Sequence, residues 1–265
     1  MKIVCLKGGL GNQMFEYCRF RDLMDSGNGK VYLFYDRRRL KQHDELRLSD
    51  CFELELPSCP WGIRLVVWGL KICRAVGVLK RLYDDEKPDA VLIDDYSQHR
   101  RFIPNARRYF SFRQFLAELQ SGFVQMIRAV DYPVSVHVRR GDYLHPSNSS
   151  FVLCGVDYFR QAIAYVRKKR PDARFFFFSD DMEWVRENLW MEDAVYVEHT
   201  ELMPDYMDLY LMTLCRGHII SNSTFSFWGA YLAVDGNGMK IYPRRWFRDP
   251  TWITPPIFSE EWVGL

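Results

Sequence analysis

The protein is 265 residues long, carries a formal net charge of +2, and is 48% hydrophobic and 16% aromatic. These values favour one large or two small globular domains, and they exclude a disordered chain and a dedicated nucleic-acid-binding protein. The charge is uneven, because residues 1–130 are net +6 and residues 131–265 are net −4. We interpret the first half as having a solvated basic face. The alternative is an anionic partner, such as a membrane surface or an anionic glycoconjugate.

The first half predicts a small parallel sheet with helices. Its expected strands are Ile3 to Leu6, Val31 to Tyr35 and Val91 to Ile93, and its expected helices are Gly11 to Met24 and Tyr109 to Val130. Trp61 to Leu79 is the most apolar long stretch, but Arg64, Lys71 and Arg74 exclude a membrane-spanning helix. We interpret it as an amphipathic helix packed on the core rather than as a membrane contact.

The second half predicts alternating strands and helices joined by short connections. The expected strands are 134–138, 175–178, 195–197, 218–220 and a last one at 239–242, and the expected helices are 157–170, 182–189, 205–215 and 225–234. The strands are apolar on both faces, which indicates a parallel sheet covered by helices on both sides. We place a domain boundary before Pro133, so that residues 1–130 and 131–265 form two α/β domains facing across a cleft. The alternative is one large sheet.

The cysteines and the N-terminus bear on the compartment. Seven cysteines, an odd number without any CxxC pair, predict reduced and mostly buried thiols. Glycines interrupt the N-terminal apolar run, so we expect no signal peptide. The sequence therefore predicts a cytoplasmic protein, with peripheral contact at the inner membrane surface as an alternative.

Three strands of the second half end in polar clusters, at 137–142, 179–181 and 221–226. If the strands are parallel, the clusters meet at one edge of the sheet, where such sheets bind ligands. Arg139 and Arg140 offer planar forks that suit phosphate oxygens. Ser223, Thr224 and Ser226 stand where a helix begins, and its free N–H groups favour an anion. The alternative for the arginines is a surface ion pair. Ordinary capping by the hydroxyls is compatible with phosphate binding.

Asp180 and Asp181 could hold a metal ion, cap a helix or accept N–H groups from a base. The chain contains no Asp-x-Asp, the pair with which many sugar-nucleotide enzymes hold a divalent cation. Arginine and a helix N-terminus can neutralise a diphosphate without one. We therefore predict no metal and no cofactor.

The N-terminal stretch Lys7-Gly8-Gly9-Leu10-Gly11 does not form a dinucleotide fingerprint, because Met14 stands where the third glycine would be. We interpret the glycines as positions where the backbone approaches another molecule or the facing domain closely. Asn12 and Gln13 would present amide donors and acceptors there.

Taken together, these stretches resemble one family, the α-1,2-fucosyltransferases of glycosyltransferase family 11. The resemblance rests on Gly8 to Tyr17, on His137-Val138-Arg139-Arg140-Gly141-Asp142-Tyr143 and on Ser221-Asn222-Ser223-Thr224-Phe225-Ser226-Phe227-Trp228-Gly229-Ala230, with Phe178 to Asp181 between them. Glu16 stands where the family usually has Gln.

The resemblance implies a GT-B-like α/β fold of two Rossmann-like domains facing across a cleft. It implies an enzyme that inverts the fucose anomeric carbon without a metal and moves fucose from GDP-fucose to the 2-hydroxyl of a galactose-terminated glycan. The donor would lie in the C-terminal domain, with Arg139 on the β-phosphate. The remaining donor residues would be Arg140, Asp180, Asp181, Asn222, Ser223, Thr224, Phe225 and Ser226. The acceptor side would include Gly11, Asn12, Gln13, Met14, Phe15 and Glu16.

Transfer needs a charge clamp on the leaving diphosphate and a group that takes the acceptor proton. Arg139 is the predicted clamp. Asp142 is the leading candidate for the base, because it follows the phosphate arginine by one turn. The alternatives are His137, Glu16, a water molecule and the phosphate itself.

Two other functions stay open at the level of the sequence. One is another GDP-sugar transferase, such as a protein O-fucosyltransferase. The other is a non-catalytic glycan-binding module, which would need no phosphate clamp.

Overall fold

The structure is a computed structural model that describes residues 1–27, 29–35, 47–83, 89–119, 121–198, 204 and 206–265. The chain divides into two compact units, Met1–Arg113 and Gln114–Leu265. Among the helices that the structure describes, none has the length and apolar character needed to cross a membrane.

The first unit is built on a three-stranded parallel sheet in the order β2-β1-β3. Its strands are β1 Lys2–Cys5, β2 Val31–Phe34 and β3 Leu92–Ile93. Its helices are α1 Leu10–Asp25, α2 Leu48–Cys51, α3 Trp61–Ala75 and α4 Ala106–Tyr109. Three side chains of α3, Ile63, Val67 and Leu70, close one face of the sheet over Ile3 and Leu92.

A glycine turn connects β1 to α1. Gly8 has a φ of +68°, and a Cβ there would lie 2.9 Å from the side-chain nitrogen of Asn12. Only glycine fits both conditions without strain. The turn connects the end of β1 at Cys5 to the start of α1 at Leu10 through only four residues.

The second unit is built on a six-stranded, fully parallel sheet in the order β6-β5-β4-β7-β8-β9. Its strands are β4 Tyr132–Val138, β5 Ala173–Ser179, β6 Val195–Tyr196, β7 Gly217–Ile219, β8 Lys240–Tyr242 and β9 Val263–Gly264. Its helices are α5 Phe115–Leu119, α6 Ser121–Arg128, α7 Val156–Lys169, α8 Met182–Asn188, α9 Tyr206–Thr213 and α10 Thr224–Tyr231.

This strand order is that of a doubly wound nucleotide-binding sheet. The chain runs outward from β4 through β5 to β6, and then crosses back to place β7 on the other side of β4. The place where the direction reverses, between β4 and β7, is the topological switch point of the sheet. Sheets of this kind bind ligands at that point, beyond the carboxyl ends of the strands. The fold alone therefore selects this edge as the candidate site.

The two faces of β4 differ. Val134, Val136 and Val138 join the apolar cluster that includes Phe159 of α7. On the other face the Ser135 hydroxyl lies 2.8 Å from Nδ1 of the buried His218. Burial, helped by the charge of Lys240, lowers the pKa of His218 to about 3, so this imidazole is neutral at physiological pH.

The predicted α/β class with parallel sheets is confirmed, but several element bounds were wrong. A single helix from Tyr109 to Val130 does not form, because the chain makes the isolated bridge Phe52–Phe112 before α5 begins. The strand at Lys240–Tyr242 is not the last, since β9 follows it at the sheet edge. The helix predicted at 205–215 begins with a residue outside those described, and its described part is Tyr206–Thr213.

The expected helix at Trp61 to Leu79 ends four residues early for a local reason. Gly77 has a φ of +74°. The Val78 N–H donates to the carbonyl of Cys73 at 2.9 Å, and the Gly77 N–H donates to the carbonyl of Arg74 at 3.2 Å. These two bonds form a Schellman motif, which terminates helices at glycine.

The division between the units lies 17 residues before the boundary expected at residue 130. Helix α6 leads into β4 through a tight turn in which the Ala129 N–H donates to Gln125 and the Val130 N–H donates to Ile127. Residues 114–130 therefore belong with the second sheet.

The seven cysteines form no disulfide, and five of them are buried.

Candidate active site

The ends of β4 and β7 are fastened to each other by side-chain hydrogen bonds. The Ser221 hydroxyl accepts the main-chain N–H of Arg139 at 3.0 Å and donates to the carbonyl of His137 at 2.7 Å. The Tyr143 hydroxyl donates to the carbonyl of Asn222 at 2.8 Å. The predicted convergence of these two polar clusters is therefore present.

Arg139 lies between two carboxylates. Its Nε is 2.8 Å from Oδ1 of Asp142, and its Nη1 is 3.0 Å from Oδ2 of Asp180. Burial disfavours its charge, but Asp180 and Asp142 more than compensate and raise the pKa of Arg139 above its ordinary value. A permanently charged guanidinium thus lies at the switch point, and 29% of the Arg139 side chain is exposed.

Arg140 is less exposed than Arg139. Its Nε is 3.0 Å from Oδ2 of Asp181, and its guanidinium lies 3.9 Å from the centre of the Trp184 ring. Only 12% of the side chain is exposed. The ion pair and the cation–π contact give Arg140 a role in holding the loop, whereas Arg139 is the better placed of the two to meet an anion.

The aspartates Asp180 and Asp181 use all four carboxylate oxygens within the protein. Oδ1 of Asp180 accepts the Arg140 N–H at 2.8 Å while its Oδ2 pairs with Arg139. Oδ1 of Asp181 accepts the N–H of Trp184 at 3.2 Å and caps α8, while its Oδ2 pairs with Arg140. Both residues therefore position the arginine loop in this structure.

The loop depends on close packing at Gly141. A Cβ at this position would lie 3.0 Å from Oδ2 of Asp180, so a larger residue would push the carboxylate away from Arg139. The glycine of the Arg-Gly-Asp run is thus explained by its contact with the neighbouring strand end.

The predicted donor residues Asn222 to Ser226 span the end of the turn after β7 and the first residues of α10. Asn222 is buried, and its side-chain nitrogen donates to the carbonyls of Val152 and Trp246 at 2.8 and 3.0 Å. Ser223 begins α10 without a side-chain capping bond. The Ser226 hydroxyl donates to the carbonyl of Ser223 at 3.1 Å.

Thr224 and Phe225 form the first turn of α10 and are half-buried. The Phe225 ring lies 5.6 Å from the ring of His137. The helix therefore directs its N-terminus, where main-chain N–H groups lack partners within the helix, to the same edge as Arg139.

His137 is the penultimate residue of β4, and only 4% of it is exposed. A buried imidazole next to Phe225 reaches a bound substrate less readily than the half-buried Asp142.

The predicted acceptor-side residues lie at the start of α1, in the first unit. Gly11, Gln13, Met14, Phe15 and Glu16 are buried, and Asn12 is partly exposed. Gln13 donates to the carbonyl of Gly8 at 2.8 Å and accepts the N–H of Arg47 at 3.2 Å, and Asn12 accepts from Gln98 at 2.9 Å. Within the described residues these amides brace the glycine turn.

Glu16 is a fully buried carboxyl group. Its Oε2 accepts the main-chain N–H of Lys7 at 2.8 Å, and its Oε1 has no hydrogen-bond partner among the described residues. Burial raises the pKa of Glu16 to about 9, against the stabilising effects of the Lys7 N–H and charge. The group is therefore a neutral carboxylic acid near pH 7, with the shape and one of the hydrogen bonds of a glutamine.

Three residues that shape the site were absent from the predicted set. Ser221 bridges the two strand ends, Tyr143 fastens the arginine loop to the β7 turn, and Trp184 covers Arg140. Ser221 and Tyr143 lie inside the motifs, where they could have been singled out. Trp184 could not have been predicted from the motifs, because its position opposite Arg140 depends on the register of β4 with β5.

Across the described ranges, no three His, Cys, Asp or Glu side chains are grouped so that they could hold a metal ion.

A doubly wound parallel sheet with a guanidinium at its switch point defines the second unit as a Rossmann-like α/β domain, whose ligand site is expected at this edge. The family described as Glycosyl transferase family 11 matches residues 100–265, which is well over half of the chain. The chain belongs to glycosyltransferase family 11 and is a glycosyltransferase. The family predicted from the motifs is thereby confirmed.

Individual relatives extend the similarity to nearly the whole chain. An alpha-1,2-colitosyltransferase of Escherichia coli is 27% identical over 98% of this chain and 97% of its own length. A galactoside 2-alpha-L-fucosyltransferase, SEC1 of Bos taurus, is 28% identical over 98% of this chain and 72% of its own length.

A solved structure has the same fold. The crystal structure of NodZ alpha-1,6-fucosyltransferase soaked with GDP-fucose matches with a TM-score of 0.55 and 14% identity. The match covers 88% of this chain and 92% of that chain. At this identity the likeness concerns the fold.

Proposed function

We propose that the protein transfers fucose from GDP-fucose to the 2-hydroxyl of a terminal galactoside on a glycan, with inversion at the fucose anomeric carbon and without a metal ion. The observation that carries the proposal is the position of Arg139, at the switch point of a doubly wound sheet in a chain of family 11. The name of the Bos taurus relative supports the fucosyl group and the linkage. The NodZ structure, which was soaked with GDP-fucose, supports the donor.

Arg139 would bind the β-phosphate of the donor. Two of its guanidinium nitrogens lie 2.8 and 3.0 Å from carboxylate oxygens of Asp142 and Asp180. Phosphate oxygens can accept hydrogen bonds from the same nitrogens at similar distances. The main-chain N–H groups and the helix dipole at the start of α10 would complete the anion site. As the bond between fucose and the diphosphate breaks, negative charge grows on the leaving oxygen next to Arg139, which stabilises the transition state.

Asp142 would act as the general base. The acceptor oxygen attacks the anomeric carbon, its proton passes to Asp142, and the bond from that carbon to the diphosphate oxygen breaks with its electron pair leaving on GDP. In-line attack from the opposite side inverts the configuration. Once phosphate oxygens pair with Arg139, the Asp142 carboxylate loses that partner and becomes available to accept a proton. His137 and Glu16 are the alternative bases, and both are buried.

The proposal includes a GT-B-like arrangement, with the first unit on the acceptor side of a cleft and the second holding the donor. The fold similarity to NodZ over most of both chains supports it. The residues at the start of α1, Gly11 to Glu16, would then shape the acceptor side.

A second candidate keeps the same site and changes the donor sugar. A relative matching almost the whole chain is named for the transfer of colitose. The clamp on the diphosphate would be unchanged, and contacts to the sugar ring would decide between the two donors.

The test is a transfer assay with GDP-fucose, the corresponding colitose nucleotide and GDP-mannose, each with a panel of β-galactosides. GDP release and product linkage are measured with and without excess EDTA. We expect an α-1,2-linked fucosyl product at the same rate in EDTA. A metal requirement would contradict the proposed mechanism, transfer to a protein hydroxyl would indicate a protein O-fucosyltransferase, and GDP binding without transfer to any acceptor would contradict the proposed function.

A further inference from the structure

Helix α3 of the first unit exposes an apolar stripe to solvent. The stripe consists of four residues spaced by four, three and four positions: Trp61, Leu65, Trp68 and Ile72. Their exposed fractions are 74, 49, 67 and 43%, in that order. This spacing places all four on one face of the helix. A contiguous exposed row containing two tryptophans is unusual for a protein surface and marks an interaction site.

The stripe is separate from the face that packs on the sheet. Ile63, Val67 and Leu70 are the buried side chains of α3. At about 100° per residue they point almost directly away from the exposed four. The helix therefore already has its partner in the core, and its second apolar face is left for something outside the unit.

The apolar surface continues beyond the helix. The Schellman turn at Gly77 ends α3, and Val76, Val78 and Leu79 follow with 66, 49 and 58% of their area exposed. At Gly62 and Gly69 a Cβ would meet nothing within 4 Å, so the space beside the stripe is open. The docking surface is defined here as these three residues and the four of the stripe.

The charge around this surface is positive. Between Trp61 and Tyr83 the chain has five basic residues and no acidic one, and acidic residues resume at Asp84. The five are Arg64, Lys71, Arg74, Lys80 and Arg81. Among the described residues, two carboxylates from neighbouring segments pair with them: Asp94 lies 3.6 Å from Lys71 and 3.4 Å from Arg74, and Asp89 pairs with Arg81. The excess of positive charge remains beside the stripe.

We propose that this surface docks the protein on a lipid bilayer that carries anionic headgroups, with α3 lying in the plane of the interface. An apolar face with tryptophans and basic residues beside it is the pattern of interfacial helices. Fifteen residues span about 22 Å, shorter than the hydrocarbon core of about 30 Å, so α3 lies on the membrane rather than crossing it.

The charge also decides against a second copy of the chain as the occupant. A symmetric dimer would place the same surface on both partners, so the basic side chains around one α3 would face those around the other. Anionic headgroups attract these side chains instead, at a gain that corresponds to a roughly five-fold stronger partition for each Lys or Arg near the surface.

The test is co-sedimentation of the full chain with vesicles of phosphatidylcholine alone or of phosphatidylcholine mixed with phosphatidylglycerol. We expect strong binding to the anionic vesicles, weak binding to the neutral ones, and release in high salt. The double variant Trp61→Ser/Trp68→Ser should reduce the partition by about ten-fold or more. Arg64→Gln/Lys71→Gln should reduce it by roughly twenty-five-fold, which is two factors of five.

The matched control is Trp190→Ser/Trp252→Ser, which removes two tryptophans of the second unit with exposed fractions of 63 and 54%. It should bind like the unchanged protein. Circular dichroism and transfer to a soluble acceptor show that each variant is folded. Equal loss in the control, or no binding of the unchanged protein to anionic vesicles, overturns the proposal. A dimer in light scattering that the Trp61→Ser/Trp68→Ser variant dissociates would identify a second copy as the occupant and also overturn it.

Discussion

The Ser221 hydroxyl lies between two strand ends, 3.0 Å from the main-chain nitrogen of Arg139 and 2.7 Å from the carbonyl oxygen of His137. One buried hydroxyl thereby fixes the direction in which the chain leaves β4 and starts the loop that carries Arg139. A side chain just beyond the end of β7 thus helps to position Arg139, the proposed phosphate ligand, directly after β4.

Ser221→Ala should loosen this junction. The change leaves a main-chain N–H and a carbonyl without their partner, and unsatisfied buried groups cost about 1–3 kcal/mol each at most sites. We expect a lower free energy of unfolding by denaturant and weaker binding of GDP. Ser223→Ala is the matched control for stability, because the Ser223 hydroxyl makes no capping bond. Its free energy of unfolding should decrease less than that of Ser221→Ala. Equal losses for the two variants would show that the bridge contributes little.

Arg139→Lys should be damaging although it keeps the positive charge. Lysine cannot form the two parallel contacts of a guanidinium with diphosphate oxygens. Losing a donor aimed at developing charge lowers turnover by on the order of 10²–10³-fold. Turnover and GDP affinity are measured together, and Arg139→Ala should weaken both. Arg101→Lys, at an exposed arginine of the first unit, should change neither. Normal turnover in Arg139→Lys would remove this residue from the clamp.

Asp142→Asn should separate proton transfer from donor binding. Asparagine keeps the shape of the side chain but cannot take the acceptor proton, and loss of a general base costs about 10²–10⁴ in turnover. GDP affinity should stay within a few-fold of the unchanged protein, since Asp180 still pairs with Arg139. Asp180→Asn is the comparison, and it should weaken GDP binding as well. If Asp142→Asn loses GDP binding instead, its role is to position Arg139.

Glu16→Gln should change how stability depends on pH. The pKa of Glu16 is about 9 in the folded protein and 4.5 for the ordinary group. Between these values the folded state holds a proton that the unfolded state has released, so the free energy of unfolding falls as pH rises. The stabilising effect is complete below pH 4.5 and is lost by about pH 9, at up to about 1.4 kcal/mol per pH unit.

Glutamine does not titrate, so Glu16→Gln should remove this slope. The free energy of unfolding of the variant should therefore increase relative to that of the unchanged protein as pH rises from 5 to 8. Denaturant unfolding at several pH values measures the difference. Glu55→Gln, at an exposed carboxylate, is the control and should leave the slope as it is. An unchanged slope in Glu16→Gln would mean that Glu16 is ionised in its buried site.

The parallel sheets and the edge that carries the site could be predicted from sequence because each β-strand is a short apolar run that ends in a polar cluster. Phe175 to Phe178 and the Ser-Asp-Asp that follows are an example. Strand order could not be predicted, since nothing local shows that β7 returns to the far side of β4. The helix breaks after Tyr109 were missed because Phe112 pairs with Phe52, a contact between residues 60 apart in the chain.

The site was predicted as a set of residue types but not as a set of contacts. The motif resemblance assigned Arg139 to the phosphate, but it did not show what Arg140 contacts. The register of β4 with β5 places Trp184 and Asp181 on Arg140, while Arg139 has the larger exposed fraction. The burial of Glu16 is another such case. Its main-chain partner Lys7 is nine residues away, and no local pattern shows that the carboxyl group is enclosed.

The central claim is that the carboxyl edge of the second sheet holds the diphosphate of GDP-fucose. Hydrogen–deuterium exchange of the full chain with and without GDP tests it most directly. We predict slower exchange in the peptides that contain residues 139–144 and 221–227, and loss of that protection in Arg139→Ala. Protection confined to the glycine turn and the start of α1, at residues 8–17, would contradict the claim.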